Sequence, residues 1–445
     1  MQVSFVDEER RKRKEDSLTK PLILVTGATG YIASRLIPRL LDSGYRVRCL
    51  ARDPLRLQGR SWFDQIETFQ ADVTTPATLA RTFDGVHTAY YLIHNMSAGH
   101  GYTKIELAAA RNFATAAEQA GIQHIIYLGG LADPEQHIAP HMRSRIETGK
   151  VLREGQVPVT EFRAGIIIGS GSISFEMIRF MTELFPIVPA PTWMHNKSQP
   201  IAIQNIIDYL LAALENKNGQ GHVFEIGGPE ITAYQDLMLH YAEIRGLKRS
   251  MFILPFIPLW LMAFGVGLMT PVPYPIAYAL IGGLSADSIV KHPDALKIFP
   301  KVRLIDFDSA TTDALAKTHP AHIERVWDDA EQKAKSIKHE GCFINHHEMK
   351  INSSPENILG AITHFANEYG WRVEAKTKNS RILICNKNHF GDQWIEWRVD
   401  QNRLAQTVFF SPRGMPGFLY GYLLMPFHKL RHSLLSRKLA RQIAG

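Results

Sequence analysis

Leu22-Ile23-Leu24-Val25-Thr26-Gly27-Ala28-Thr29-Gly30-Tyr31-Ile32-Ala33 is the stretch that decides how this chain is read. An apolar run ends in a Gly-rich turn, and the turn opens a helix-like segment from Tyr31 to Ser43. A dinucleotide-binding βαβ unit requires that order. The strand delivers the chain to a sharp bend, and glycine lets the backbone come close to a pyrophosphate. The helix N-terminus then offers N–H groups and a positive dipole end to the phosphates. Gly27, Thr29, Gly30, Tyr31 and Ile32 are the candidate cofactor-binding residues of this turn. A lone glycine motif is weak, and here the flanking strand and helix give it weight.

Outward from the turn, strand-like runs alternate with helical patterns up to about Leu214. The runs are Leu22–Val25, Val47–Leu50, Thr68–Gln70, Ala89–Ile93, Ile125–Leu128 and Thr160–Ile168. The helical patterns are Tyr31–Ser43, Pro76–Phe83, Tyr102–Gly121 and His141–Glu154. Such alternation predicts an α/β fold, a doubly wound parallel sheet covered on both faces, with ligands at the carboxyl ends of its strands. A strand at Val223–Ile226 and a helix at Thr232–Arg245 extend it.

The end of the second strand speaks to the type of cofactor. An NAD enzyme places an acid there, about 20 residues past the glycines, to grip the ribose 2′-hydroxyl. This chain has Arg52, which suits a 2′-phosphate through charge-assisted bonds. NADP(H) is preferred on that ground, and NAD(H) stays open. The plainer alternative for Arg52 is a surface pair with Asp53 or Asp72. Asp72 and Val73, after the third strand, are placed to border the adenine, and Leu92 at the end of the fourth joins the cofactor set.

At 445 residues, with 45% hydrophobic and 21% charged residues, the chain is long enough for two or three globular domains. The net charge of +7 gathers at the two ends, Arg10–Lys14 and Lys429–Arg441, with no basic stripe interleaved with aromatics. That speaks against nucleic acid. Three cysteines in no paired spacing speak against a disulfide scaffold or a structural zinc site and fit a reducing, cytoplasmic setting. His346-His347-Glu348 has neither helical zinc spacing nor a nearby Cys pair, so a strand is expected there and no metal.

From Met251 to Ala286 no residue is charged, and prolines interrupt the run. Its proline-free piece, Leu259–Thr270, is too short to cross a bilayer. Two readings stay open: helical hairpins buried against the first domain, or a peripheral membrane contact or lid over a hydrophobic substrate.

Several longer strings identify a relative. The turn Thr26–Gly30, Arg52, Asp72-Val73, Tyr90-Tyr91-Leu92-Ile93-His94, Arg163–Ser172 and Gln199-Pro200-Ile201-Ala202-Ile203 resemble the atypical, NmrA-like branch of short-chain dehydrogenases/reductases. With Gln406–Gly414 and Gly417–Tyr422, they resemble bacterial proteins that fuse this Rossmann fold to a C-terminal domain of unknown function, likened to START-like helix-grip folds. Composition and pattern, together with the resemblance, divide the chain into five parts. A charged leader covers 1–20, and the Rossmann domain with a small substrate portion covers 21–250. An apolar helical insertion follows at 251–310, then a linker helix at 311–340 and a shortened α+β helix-grip-like unit at 341–445. The closing segment, apolar to Phe427 and then basic, either packs on that unit's sheet or rests on an acidic membrane surface.

The resemblance also shows what this chain lacks. Superfamily members that transfer hydride use a Tyr–x–x–x–Lys pair on a helix and a Ser on the preceding strand. Here His141 and Arg145 stand where Tyr and Lys would be, and the serine position falls near Gly129-Gly130. His141 could move protons near its ordinary pKa, and Arg145 could hold a ribose or phosphate. The alternative is a partly exposed histidine beside an arginine paired with a carboxylate. His94 and Tyr91 compete as acids, and Tyr127 reads as core. The implied function is NADP(H)-dependent oxidoreduction of an apolar carbonyl or unsaturated small molecule. The other reading is a non-catalytic NADP(H)-binding redox sensor or assembly factor.

Overall fold

In the computed structural model the first strand, β1 (Leu22–Thr26), is buried along its whole length. Its side chains divide by parity. Ile23 and Val25 enter one apolar cluster, and Leu22 and Leu24 enter another. A strand whose alternate residues both meet a core lies inside a sheet covered on both faces. The structure describes residues 20–57, 60, 62–94, 102–136, 138–255, 257–269, 272, 274–317, 338–339, 342–350, 354–368, 370–377, 381–400, 403–423 and 427.

After β1 come α1 (Tyr31–Asp42), β2 (Arg46–Ala51), β3 (Glu67–Gln70), β4 (Val86–Tyr91), α2 (Tyr102–Gln119), β5 (His124–Gly130), α3 (Pro140–Arg153) and β6 (Val159–Ala164). Then follow α4 (Ile173–Leu184), β7 (Ile187–Ala190), α5 (Ile203–Glu215), β8 (Val223–Ile226) and α6 (Tyr234–Ile244). The seven-stranded sheet runs β8-β6-β5-β4-β1-β2-β3. All its ladders are parallel. The strand order reverses between β1 and β4, and that switch point is where open α/β sheets receive ligands. The expected doubly wound Rossmann sheet is therefore present.

Two expectations of this region are corrected. Pro76–Phe83 is not a helix but two short 3₁₀ turns, Pro76–Thr78 and Ala80–Thr82. The Thr78 hydroxyl bonds back to the carbonyls of Asp72 and Thr75, a local competitor to helical pairing. Thr160–Ile168 is not one strand either. It breaks at Gly165, and Ile167-Ile168 pairs instead with Ile201-Ala202. Two of the strings that carried the resemblance thus meet.

The uncharged segment opens as a strand, β9 (Ser250–Ile253), parallel to β7, and continues as α7 (Leu259–Met269) and α8 (Tyr274–Gly283). Ala263, Val266, Ala277 and Ile281 form its buried inner face. Its outer face carries exposed apolar side chains, so burial against the first domain does not cover the whole segment. The helix α9 (Phe307–Ala316) packs onto α6.

The remaining described residues form β10 (Lys338–His339), β11 (Cys342–Lys350), α10 (Pro355–Glu368), β12 (Arg372–Thr377), β13 (Arg381–Asn388), β14 (Gly391–Asp400) and β15 (Arg403–Pro412). They make a six-stranded antiparallel sheet in the order β10-β11-β15-β14-β13-β12. Ile358, Leu359, Ile362 and Ala366 of α10 cover one face, against Ile382, Ile384, Ile395 and Trp397. His346-His347-Glu348 lies within β11, with His347 exposed. Helix resumes over 414–423, and Phe418 packs on Phe180 of α4 at 4.9 Å between ring centroids. The charged leader 1–19, most of the expected linker helix at 318–337, and the basic end at 428–445 lie outside the described residues.

Candidate functional site

Thr26 ties the glycine turn to the neighbouring strand. Its hydroxyl donates to the Tyr90 carbonyl at 3.0 Å and accepts from the Leu92 N–H at 3.1 Å. Gly27 then takes φ +65°, and a Cβ there would lie 2.6 Å from the Leu92 carbonyl oxygen. Glycine is required at this bend on both counts. The Gly30 N–H closes the turn on the Gly27 carbonyl at 2.7 Å, and Gly30 caps α1 without any side-chain hydrogen bond. The N–H groups of Ile32 and Ala33 therefore point along the helix axis toward the switch point, the arrangement that receives phosphate. Thr29 is half-buried within the turn. Arg35 stacks over the Tyr31 ring at 3.9 Å and donates to the Ser170 carbonyl at 2.7 Å, fixing the site against the Gly169-Ser170 string.

Arg52 is exposed just past β2, and its side chain forms no ion pair among the described residues, so the expected alternative of a surface pair with Asp53 or Asp72 does not occur. Asp72 follows β3, but its carboxylate accepts from the Thr74 N–H and hydroxyl at 2.9 and 2.7 Å. That side chain builds the turn. Val73 is buried, its carbonyl held by the Asn112 amide at 3.0 Å.

A cavity of about 490 Å³ opens beside the glycine turn. Gly30, Tyr31, Ile32 and Leu92 line the end beside the turn, and His94, Gly129, Gly130, His141 and Arg145 form its middle. The far end is apolar and rich in methionine: Met177, Met181, Met194, Met238 and Met262, with Trp193. The inner faces of α7 and α8 form one wall through Met262, Val266, Leu280 and Ile281. Gly27, Thr29, Arg52, Asp72 and Val73 do not line the cavity. They lie outside it, along the carboxyl ends of β1, β2 and β3.

The catalytic candidates are brought together, with altered chemistry. His141 is buried rather than partly exposed, and α8 reaches its ring through Gly283, where a Cβ would sit 2.9 Å from Cε1. Burial, reinforced by the Arg145 charge, pushes the His141 pKa down to about 3. Burial and Arg145 push His94 down to about 3 as well, against a hydrogen bond to the Leu128 backbone. Both imidazoles are therefore neutral at neutral pH, and the expected proton shuttle near pH 6.5 is corrected. Tyr91 is also corrected as a competing acid: it is core, packed edge-on against Phe113 at 4.9 Å, and does not line the cavity. Tyr127 is core too, and its hydroxyl donates to the Arg145 carbonyl at 2.9 Å.

A serine at Gly130 would need side chains of α3 to shift. One added carbon at Gly130 would lie 2.6 Å from Met142 Cε and 3.2 Å from Arg145 Cδ. The side chains of α3 occupy the space a serine would use. Sequence reading missed two features here. The buried Ser144 hydroxyl donates to Glu106 of α2, locking α3 at the residue before Arg145. The methionine wall was also invisible, because its residues come from α4, α6, α7 and the stretch before Lys197.

Comparison with known proteins agrees with this geometry. Residues 19–218 match the NmrA-like family. The glycine turn and six of the seven strands of the parallel sheet lie within that match, β8 following it, and the fold is of the NAD(P)-binding, short-chain dehydrogenase/reductase type. A phosphate-ester reductase of Streptomyces griseus, (4-alkanoyl-5-oxo-2,5-dihydrofuran-3-yl)methyl phosphate reductase, is 26% identical over 58% of this chain and 85% of its own length. Cinnamoyl-CoA reductase 1 of Oryza sativa is 31% identical over 30% of this chain, which spans 40% of that protein. The photosystem II assembly factor Ycf39 of Cyanophora paradoxa is 26% identical over 46% of this chain and 63% of its own length. Among solved structures, Citrobacter sp. triphenylmethane reductase complexed with NADP(H) superposes with a TM-score of 0.53 at 20% identity, covering 66% of this chain and 99% of that one. That likeness concerns the fold.

Proposed function

We propose that this chain is an NADP(H)-dependent reductase of an apolar small molecule whose reducible carbon is conjugated to a carbonyl. One observation carries the reading. A single cavity runs from the glycine turn, past Arg145 and two histidines, to a wall of methionines. Methionine side chains are flexible and polarizable, and they accommodate apolar ligands of irregular shape. The free N–H groups of α1 would hold a pyrophosphate, and Arg52 would take a 2′-phosphate. Bound there, the dinucleotide supplies a hydride. Relatives named as reductases support the same class, and the neighbour complexed with NADP(H) supports the cofactor preference.

The chain's own residues then stabilise charge rather than deliver a proton. Hydride arriving at a conjugated carbon leaves negative charge on the substrate oxygen. Arg145 is permanently cationic and faces the cavity, so it would hold that oxygen. His141 and His94, neutral, serve as orienting hydrogen-bond groups, and the balancing proton comes from water. The C-terminal antiparallel sheet with its covering helix supports a START-like reading of that unit, and the cysteine usage supports a cytoplasmic setting.

The test is oxidation of NADPH by the purified protein with lipophilic quinones, enones and aldehydes. Turnover is expected with conjugated carbonyls. Arg145→Met should lower kcat by about 10²–10³-fold with NADPH binding intact. The absent Ser, Tyr and Lys favour a second reading, a non-catalytic NADP(H)-binding sensor or assembly factor, and the relative named as an assembly factor supports it. Tight binding without turnover, unchanged in His141→Ala and His94→Ala, would decide for that reading.

A further inference from the structure

We infer that the outer face of the α7–α8 hairpin docks onto an anionic lipid bilayer. A helix that is apolar all round belongs either inside a protein or in lipid. The helix α7, Leu-Trp-Leu-Met-Ala-Phe-Gly-Val-Gly-Leu-Met, carries no polar stripe, yet only part of it is covered. Trp260 is 58% exposed, Phe264 55% and Leu268 70%, while Ala263 and Val266 face inward. On α8, Tyr274 and Tyr278 are exposed on the same terms, with Ala277 and Ile281 inside. Exposed apolar surface concentrated in this way marks an interaction site.

The chemistry of the face selects lipid over protein. Protein interfaces carry about one hydrogen bond per 100–200 Å². Among the exposed side chains of the described residues of this hairpin, only the Trp260 indole and the two tyrosine hydroxyls are hydrogen-bonding groups. Trp and Tyr are the side chains that settle at the boundary between acyl chains and headgroups. Charge is one-sided as well. Between Glu243 and Asp287 there is no acidic residue, and the only charged residues are Arg245, Lys248 and Arg249, just before β9. Lys248 is exposed, a cation free of any nearby acid in sequence to meet anionic headgroups. No helix among the described residues is long and apolar enough to cross a membrane, so the contact is monotopic.

The same hairpin is a wall of the cavity: Met262, Val266, Leu280 and Ile281 line it from the inside. A substrate dissolved in the bilayer would meet this wall first. That consequence rests on the reductase reading, whereas the docking does not.

The experiment is flotation of the full chain with phosphatidylcholine vesicles, with and without phosphatidylglycerol. The expected result is co-flotation that is stronger with phosphatidylglycerol. Trp260→Glu combined with Leu268→Glu should reduce it by roughly tenfold or more. Circular dichroism and NADPH binding report whether that variant stays folded, and the single Leu268→Glu substitution provides a milder second test. Absence of flotation by the native chain would overturn the inference, as would flotation unchanged in a folded variant. So would concentration-dependent self-association that the substitutions abolish while the vesicles stay bare, because the face would then belong to a second copy.

Discussion

His141 occupies a buried position with its Nδ1 unpartnered, between Arg145 on its own helix and Gly283 of α8. Charging the ring there would place a second cation in a poorly hydrated site, and this holds its pKa near 3. In the unfolded chain it titrates near 6.5. Between those values the unfolded state binds a proton that the folded state refuses. Stability therefore rises with pH through this window and is lost as pH falls below about 6.5. The slope from one such group is at most about 1.4 kcal/mol per pH unit. Denaturant unfolding at about pH 5 and pH 7 should show a smaller difference in His141→Leu than in the native chain. An undiminished difference would mean that the ring is not held neutral.

At the scale of elements, α4 joins the two sheets. Glu183 is fully buried and accepts from the Tyr241 hydroxyl at 2.9 Å, from Arg245 at 2.7 Å and from the Gly414 N–H at the start of the final helix. Arg179, one turn earlier, donates to the Ser411 hydroxyl at 3.2 Å. Burial alone would raise the Glu183 pKa, but Arg245 and Arg179 outweigh it and hold the carboxyl below its usual range. Replacing it leaves the part-buried Arg245 without its carboxylate, so Glu183→Gln should cost about 3 kcal/mol. Calorimetry should show the C-terminal unit melting separately in that variant. A single unshifted transition would contradict this role.

These elements were legible in the sequence to different degrees. β1 and β5 announce themselves because a strand buried on both faces reads as a largely apolar run. The 3₁₀ turns after Asp72 did not, because Thr78 side-chain bonding competes with a helix that the apolar pattern otherwise suggested. Arg179 and Glu183 gave no signal, since their partners lie more than 230 residues away in sequence at Ser411 and Gly414. In the candidate site, the glycine turn could be read from local order alone. The cavity could not: its wall exists only once α4, α6, α7 and α8 have folded around one space.

Over the whole molecule, the parallel sheet places a phosphate-receiving helix end, two neutral histidines and a cationic arginine along one cavity, and an otherwise uncharged hairpin closes it. The central claim is that this arrangement serves NADP(H), and a direct titration of both dinucleotides onto the purified chain tests it. NADPH should bind more tightly than NADH. Arg52→Ala should weaken NADPH by about 10- to 100-fold and leave NADH unchanged, the loss expected for charge-assisted bonds to a 2′-phosphate. Failure of both dinucleotides to bind, or an equal loss for the two in Arg52→Ala, would contradict it.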